Sequence, residues 1–273
     1  MSSIHQNFLD RKNVLESELG EPVSINGLTG QLRIFQRLGG HRHSIDDATT
    51  AWYALQKKAN ADEVLDLGAG IGSVGLITLW GLSSSSKLTS IEAQEVSYKL
   101  LRTNVECNGL NDRVRVIHGD LRDLNLDTKF RLITGSPPYF PLSTGVLPTD
   151  SQKAHARFEL RGDVGDYARA AKRHLHEDGV FIFCFPFQQK HRCLDLVSRA
   201  GLQIMTIRDV IPRPSKPALF SLYSAIHFRP PARKPIQEPS FFVHSESGSY
   251  TPEMIAMQWS REFGPDGTNK VDL

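Results

Sequence analysis

Two short loops carry residue types whose spacing is suited to chemistry. The sequence GAGIG at 68–72 follows an apolar stretch at 64–67 and precedes the apolar run VGLITLW. The sequence SPPY at 136–139 follows a second apolar stretch, at 132–135. If both stretches are parallel strands of one sheet, both loops lie at the same sheet edge, which is where such sheets bind ligands. The spacing therefore predicts one site with a glycine-rich half and a proline-rich half.

The glycine-rich half predicts a nucleotide-like ligand. Gly68, Gly70 and Gly72 let the backbone turn sharply and approach a ligand closely, where a side chain would collide. The turn alone does not separate a dinucleotide from S-adenosylmethionine, and a tight structural turn is the alternative. Asp66, just before the turn, favours S-adenosylmethionine because a carboxylate can face its cationic amino group, whereas a pyrophosphate would be repelled.

Two further acidic residues follow the next predicted strands. Glu92 ends the stretch 88–92, where it could accept hydrogen bonds from a ribose diol; a helix N-terminal acid ahead of Gln94 is the alternative. Asp120 follows the stretch 114–118, where it could accept from an adenine amino group or be an ordinary turn aspartate. The predicted cofactor-binding residues are Asp66, Gly68, Gly70, Gly72, Glu92 and Asp120.

The proline-rich half predicts a site for a planar amine. Pro137 and Pro138 fix the backbone and remove two amide donors, which leaves the Ser136 hydroxyl and the Pro137 carbonyl as acceptors. An adenine or amide nitrogen is a poor nucleophile because its lone pair is delocalised, and accepting its two protons exposes that lone pair to a sulfonium methyl. Tyr139 and Phe140 would stack on the planar acceptor. A proline-rich turn with an aromatic residue packed on the core is the alternative.

This chemistry predicts four catalytic residues, Ser136, Pro137, Pro138 and Tyr139. They would work by positioning and local electrostatics, without a dedicated strong base or a covalent enzyme intermediate.

Seven apolar stretches alternate with amphipathic segments from residue 63 onward, which is typical of a parallel sheet with helices on both faces. The predicted fold is therefore α/β, a seven-stranded doubly wound sheet with small appendages at both ends. The predicted strands lie at 64–67, 88–92, 114–118, 132–135, 180–185, 204–210 and 222–228. Predicted helices include one that begins after Ser44, one at 94–108 that ends at Asn108-Gly109, and one at 167–176.

The chain ends predict appendages to this domain. Residues 1–45 are predicted to be an N-terminal extension that contains a hairpin around Gly27 and Gly30. Prolines after Phe228 predict a boundary near 230, so the main domain would span 46–230. The segment 231–273 would be a C-terminal appendage with one strand at 240–243 and one helix at 252–263.

Composition limits the compartment and the partners that we expect for the protein. The 273 residues are 40% hydrophobic and have a formal net charge of +2, which neither requires nor excludes a polyanionic partner. The three cysteines include no Cys-x-x-Cys pair, which favours a reducing cytoplasm and argues against a metal site. The longest apolar run, 180–187, is far shorter than the roughly 20 residues needed to cross a bilayer. We predict a cytoplasmic protein without a metal or a membrane partner, and the oligomeric state stays open.

The motifs resemble those of the class I S-adenosylmethionine-dependent methyltransferases, in the amino-methylating group with an [Asp/Asn/Ser]-Pro-Pro-[Tyr/Phe/Trp] sequence. The flanking segments are most similar to the bacterial tRNA (adenine-N6) methyltransferases that modify the base beside the valine anticodon. The resemblance covers about 30–260 and rests on GGHRHSIDDATTAW at 39–52, DLGAGIG at 66–72, SPPYF at 136–140, AHARFE at 154–159 and ESGSYTPEM at 246–254.

This resemblance implies a Rossmann-like fold, S-adenosylmethionine as cofactor, adenine N6 as acceptor and RNA, in particular tRNA, as partner. It also implies that Arg157 contacts the substrate. Ser136 departs from the pattern, because this family usually has asparagine there, and a hydroxyl is shorter than an amide and can also donate.

Other functions stay open at the level of sequence. A glutamine amide in a protein has the same planar amine chemistry, and Ser136 also allows a non-catalytic cofactor-binding scaffold. A nicotinamide-dependent oxidoreductase would have no use for Asp66 or for the SPPY loop. The segment 205–235, rich in arginine and lysine, could follow a phosphate backbone or be an ordinary solvated face. His41-Arg42-His43 could close over a ligand or be a polar loop.

Overall fold

The computed structural model describes residues 3–262, apart from the side chains of 259, 261 and 262. Its helices are Ser3–Leu19 (α1), Ile45–Lys58 (α2), Ser73–Trp80 (α3), Glu95–Cys107 (α4), Ser151–Arg157 (α5), Val164–His174 (α6), Lys190–Arg199 (α7) and Pro252–Glu262 (α8). Its strands are Val23–Thr29 (β1), Leu32–Arg37 (β2), Glu63–Leu67 (β3), Lys87–Glu92 (β4), Val114–His118 (β5), Phe130–Gly135 (β6), Leu175–Pro186 (β7), Leu202–Ile211 (β8), Phe220–His227 (β9), Ile236–Gln237 (β10) and Phe241–Phe242 (β11).

The central sheet has the order β10-β8-β9-β7-β6-β3-β4-β5, with β11 also paired to β8. Strand β9 is antiparallel to β7 and β8, and the other neighbours are parallel. The seven predicted strands are confirmed, and the two-residue strands β10 and β11 extend the sheet beyond them. The strands β3 to β8 therefore end at one edge, which we call the carboxyl edge.

Side chains alternate between two apolar layers, one on each face of the sheet. On β3, Val64 belongs to the layer covered by α2, α3 and α4, whereas Leu65 and Leu67 belong to the layer covered by α6 and α7. This period of two is the one expected of strands buried on both faces. The doubly wound, Rossmann-like α/β architecture is confirmed, and it brings the loops after β3, β4, β5 and β6 to the carboxyl edge.

The N-terminal hairpin is confirmed as β1 and β2, but the sequence analysis missed α1. This helix buries Phe8 and Leu15, which lie seven residues apart and so share one helix face, against β2 and α4. Ile4 and Leu19 lie on the same face and pack beside them, whereas Leu9 and Val14 are exposed. The helix has no acidic first turn or basic last turn. The sequence therefore carried the periodicity of the helix but no signal for its ends.

Two predicted helices differ from those observed. Helix α6 begins three residues earlier than predicted, because the Asp163 carboxylate accepts from the amides of Gly165 and Asp166 and caps it. It ends at His174, since Leu175 already begins β7. Helix α8 was predicted to reach Phe263, which lies outside the described residues. Within 3–262, no helix is long and apolar enough to cross a membrane.

Candidate functional site

A cavity of about 370 Å³ opens at the carboxyl edge between the glycine-rich and SPPY loops. It falls within the size range of small-molecule sites. All of the predicted site residues line it except Gly72. Gly72 lies behind the cavity, where an added Cβ would come within 2.6 Å of the Leu101 side chain. The structure therefore brings the two predicted halves of the site together and gives Gly72 a packing position.

The glycine-rich turn presents backbone to the cavity. Gly68 and Gly70 both have positive φ, at +61° and +57°. A Cβ on Gly68 would overlap the Tyr167 hydroxyl, whereas a Cβ on Gly70 would meet no atom within 4 Å. Because Gly70 lines the cavity, that open space is where a ligand can approach the main chain.

Replacing Gly70 with alanine is expected to weaken cofactor binding by more than its cost in stability explains. A non-glycine residue at positive φ costs roughly 1–2 kcal/mol, and here the new methyl also enters the ligand space. Gly109 is the matched control, with φ +68° and nothing within 4 Å of an added Cβ, but it does not line the cavity. Both variants should lose similar thermal stability, and calorimetry should show raised Kd only for Gly70→Ala. Equal Kd values for the Gly70 and Gly109 variants would show that the glycine-rich turn does not contact the cofactor.

Asp66 is fully enclosed behind the turn. Its carboxylate accepts from the Gly75 amide at 3.0 Å and from the Thr134 hydroxyl at 2.7 Å, and so ties the start of α3 to β6. Burial raises the pKa of Asp66 to about 6. The residue lines the cavity, but two of its acceptor positions serve the fold. Its contact with a cofactor amine stays a prediction.

Glu92 receives two backbone donors. Its oxygens accept from the Gly70 amide and from the Gln94 amide, each at 2.7 Å. The alternative role considered from the sequence, that of an acid at a helix N-terminus, is therefore observed, because Glu92 binds the backbone at the start of α4. A carboxylate offers about four acceptor positions, so these two amides do not use all of its capacity to bind a diol.

Cofactor affinity is expected to rise with pH, because burial raises the pKa of Glu92 to about 7. The protonated carboxyl offers fewer acceptors, so Kd should weaken by up to about 10-fold per pH unit below 7. An unfolded glutamate titrates near 4.3, so the folded protein binds the extra proton between the two values. The unliganded protein should therefore lose stability as pH rises through that window.

Calorimetry from pH 5.5 to 8.5 measures this dependence. Glu92→Gln should weaken binding and remove the part of the pH dependence centred near 7, leaving any contribution of Asp66, with a pKa of about 6, and Asp47, with a pKa of about 8. Asp120→Asn is the control, because the Arg122 guanidinium lowers the pKa of Asp120 and keeps it ionised throughout. If the dependence of cofactor Kd on pH is the same in Glu92→Gln as in the wild type, Glu92 does not bind the cofactor.

Asp120 lies at the cavity wall after β5, as predicted, but its carboxylate has a partner. It accepts from the Arg122 backbone amide and Nε, both at 2.9 Å, and from Nη2 at 2.7 Å. The carboxylate is therefore ionised and held in one orientation. Its contact with an adenine amine stays a prediction.

Two acidic residues at the start of α2 also belong to the site, although their sequence did not predict it. Asp47 accepts from the Ser73 hydroxyl at 3.0 Å and from the Ser44 amide, and burial raises its pKa to about 8. Asp46 accepts from Tyr139. The signal was present as two consecutive aspartates after Ser44, but it was interpreted only as a helix-start pattern. Five acidic side chains thus line the cavity: Asp46, Asp47, Asp66, Glu92 and Asp120.

The SPPY loop is held by α2, β7 and α5. The Tyr139 hydroxyl donates to the Asp46 carboxylate at 2.9 Å and lies 3.3 Å from Cys184 Sγ, and burial raises the pKa of this phenol well above its ordinary value. Ser136 Oγ lies 3.4 Å from the same sulfur. The phenol is therefore a protonated donor that anchors the ring to α2.

Arg157 contributes to the site in two ways. Its backbone carbonyl accepts from the amides of Tyr139 and Phe140, at 3.0 and 2.9 Å, which fixes the SPPY loop. Its side chain is exposed and lines the cavity. The sequence could suggest only the side-chain role, because a backbone contact depends on how α5 folds over the loop.

Comparison with known proteins shows what this chain is similar to. The model of the TRM5/TYW2 methyltransferase domain matches residues 50–139. The tRNA1(Val) (adenine(37)-N6)-methyltransferase of Actinobacillus pleuropneumoniae is 25% identical over 191 residues, which cover 69% of this chain and 77% of that protein. That of Pasteurella multocida is 26% identical over 202 residues, covering 73% and 81%. The chain is thus similar to these tRNA methyltransferases over about 70% of its length.

Solved structures of methyltransferases share the fold of this chain. A predicted O-methyltransferase of Agrobacterium tumefaciens superposes with a TM-score of 0.62 at 19% identity, covering 80% of this chain and 97% of that one. The TYW2 of M. jannaschii, solved in complex with AdoMet, gives 0.51 at 16% identity, covering 76% and 88%. These two likenesses show the fold, and S-adenosylmethionine, which the second structure contains, stays the predicted cofactor of this chain.

The residues present fit that cofactor. The cationic sulfonium and ammonium groups suit a cavity lined by acidic side chains, of which Asp120 is held ionised by Arg122. The open backbone at Gly70 and the remaining acceptor positions of Glu92 suit close approach by a nucleoside. This fit supports the cofactor-binding residues predicted from the sequence, which we retain as a proposal with Gly72 as a packing residue.

Proposed function

We propose that the protein methylates the exocyclic N6 amino group of an adenine in tRNA. The observation that carries this proposal is that Ser136, Pro137 and Tyr139 line the same cavity as the glycine-rich turn. An amine acceptor at the SPPY loop would then be adjacent to the methyl donor. The names of the relatives support adenine in tRNA as the acceptor.

The protein's own groups would act by orientation. Ser136 Oγ and the Pro137 carbonyl would accept the two amino protons and turn the nitrogen lone pair towards the donor. Tyr139 would stack on the base, with its ring fixed by Asp46. When bound, S-adenosylmethionine supplies an electrophilic methyl group on a sulfonium. With tRNA as substrate, we also propose a cytoplasmic location.

Mass spectrometry of nucleosides tests the proposal. Unmodified tRNA is incubated with S-adenosylmethionine and the protein, then digested and analysed for N6-methyladenosine. A matched protein pool is analysed for N-methylglutamine, because a glutamine amide could occupy the same loop. Methylation of adenine alone supports the proposal. Methylation of protein alone, or of another nucleoside, overturns it, and cofactor binding without transfer to either pool would indicate a non-catalytic scaffold.

A further inference from the structure

The basic segment at 205–235 is divided between opposite ends of the sheet. Arg213 and Lys216 lie in the loop between β8 and β9, and β8 ends at the carboxyl edge. Arg233 and Lys234 follow β9, which runs the other way, and the Arg233 carbonyl accepts from Gln203 near the start of β8. Only the first pair of cations therefore lies on the same edge as the cavity.

Arg208, a further member of that segment, is committed to the fold. Its guanidinium bonds to the Pro239 carbonyl at 3.0 Å and to Glu253 at 2.5 Å, and it lies over the ring of Trp52. It is 8% exposed. Arg208 is thus not available to a polyanion, although the sequence pattern grouped it with the others.

Pro212, which precedes Arg213 in the β8–β9 loop, contacts the segment that carries a stacked aromatic pair. The His244 amide donates to the Pro212 carbonyl at 3.0 Å, so the segment after β11 runs along the β8–β9 loop. The rings of His244 and Tyr250 are stacked at 4.9 Å, and Tyr250 is 47% exposed. We call Arg213, Lys216, His244 and Tyr250 the outer cluster.

The segment at 187–189 links the loop that carries Arg213 and Lys216 to the SPPY loop by hydrogen bonds. Gln189 donates to the Tyr139 carbonyl at 2.5 Å, and the Phe187 amide donates to the Leu219 carbonyl at the end of the β8–β9 loop. Strands β6 and β8 are three places apart in the sheet, which corresponds to about 14 Å. A polymer whose one unit enters the cavity would extend across this distance.

The side chains of the outer cluster favour one kind of partner. Arg213 and Lys216 are exposed, and within residues 3–262 neither forms an ion pair, while Glu246 is the one acidic residue in the adjoining 243–251 stretch. Exposed cations next to a stacked aromatic pair are typical of sites that follow a single-stranded nucleic acid backbone and stack its bases.

We propose that the outer cluster binds the RNA strand that flanks the target adenine. Arg213 and Lys216 contact phosphates, and Tyr250 stacks on an unpaired base. This inference rests on the proposed function, because it takes tRNA as the substrate. It also assigns a role to Tyr250, the exposed aromatic residue of the 246–254 motif, which does not line the cavity.

The test compares two charge-matched double variants, Arg213→Ala with Lys216→Ala, and Arg233→Ala with Lys234→Ala. Binding of a tRNA transcript is measured by filter retention over a range of salt concentrations, without turnover. The first variant should bind several-fold more weakly, and its slope of log Kd against log salt should fall by about 2, one for each lost phosphate contact. The second should match the wild type. Tyr250→Ala should weaken binding about five-fold or more.

The readouts separate this inference from the proposed function. Suppose that the wild type forms N6-methyladenosine. If the Arg213 and Lys216 variant then binds tRNA normally, or if both double variants lose equal affinity, the RNA-binding role of the outer cluster is overturned and the proposed function stands. If tRNA binding falls only in the first variant while the wild type forms no N6-methyladenosine, the outer cluster is supported and the proposed reaction fails. Unchanged cofactor Kd and melting temperature exclude loss of folding.

Discussion

Replacing Ser136 with alanine is expected to lower kcat on tRNA by on the order of 10²-fold, the scale on which loss of one preorganised hydrogen-bonding group at a reacting centre is felt. Ser136 Oγ is the side-chain acceptor in the SPPY loop, since Pro137 and Pro138 offer only carbonyls. Without it, one amino proton of the acceptor has no partner and the nitrogen lone pair stays delocalised. Cofactor Kd should be unchanged, because the substitution lies at the acceptor end of the cavity.

Two controls separate this effect from a change in stability. Ser90→Ala also removes a buried serine hydroxyl, one that has no hydrogen-bond partner within the described part of the chain, and it should leave kcat unchanged. Ser136→Asn supplies an amide carbonyl as acceptor and should retain turnover. Single-turnover rates at saturating tRNA measure all three. A Ser136→Ala enzyme with wild-type kcat would mean that other groups accept the amino protons, and the SPPY loop would lose its assigned role.

The arrangement of the two loops could be predicted from the sequence because it depends on strand polarity alone. Apolar stretches that end in GAGIG and in SPPY must bring those loops to one edge if the strands are parallel. Strands β3 and β6 are in fact hydrogen-bonded neighbours, so the loops meet directly. The carboxylates Glu92 and Asp120 follow from the same argument.

Contacts that depend on tertiary packing could not be predicted in this way. Asp66 is surrounded by Gly75 and Thr134, which are remote from one another in the sequence. The position of Asp46 beside Tyr139 requires α2 to lie over the end of β7, across 93 residues of chain. The basic segment could not be divided between two edges until the antiparallel direction of β9 was known.

The position of Asp46 leads to the second large effect, at Tyr139. Tyr139→Ala is expected to weaken productive tRNA binding by about 1–3 kcal/mol, the usual cost of losing one base–aromatic stack. Tyr139→Phe retains the ring but loses the hydrogen bond to Asp46 and the contact with Cys184 Sγ, so tRNA binding should weaken by about 0.5–1.5 kcal/mol. Asp46→Asn keeps an acceptor for the phenol and should cost less than Tyr139→Ala.

Measurements of kcat/KM for tRNA and of cofactor Kd on the same variants decide what Tyr139 does. Phe140→Ala belongs in the series, because Phe140 is 42% exposed, lines the cavity and packs against Phe158, so it is the other ring that could receive the base. A larger loss in Phe140→Ala than in Tyr139→Ala would transfer the stacking role to Phe140. Loss of cofactor affinity in Tyr139→Ala would instead make the tyrosine part of the donor site, since a ring that only stacks on the acceptor leaves the donor end of the cavity unchanged.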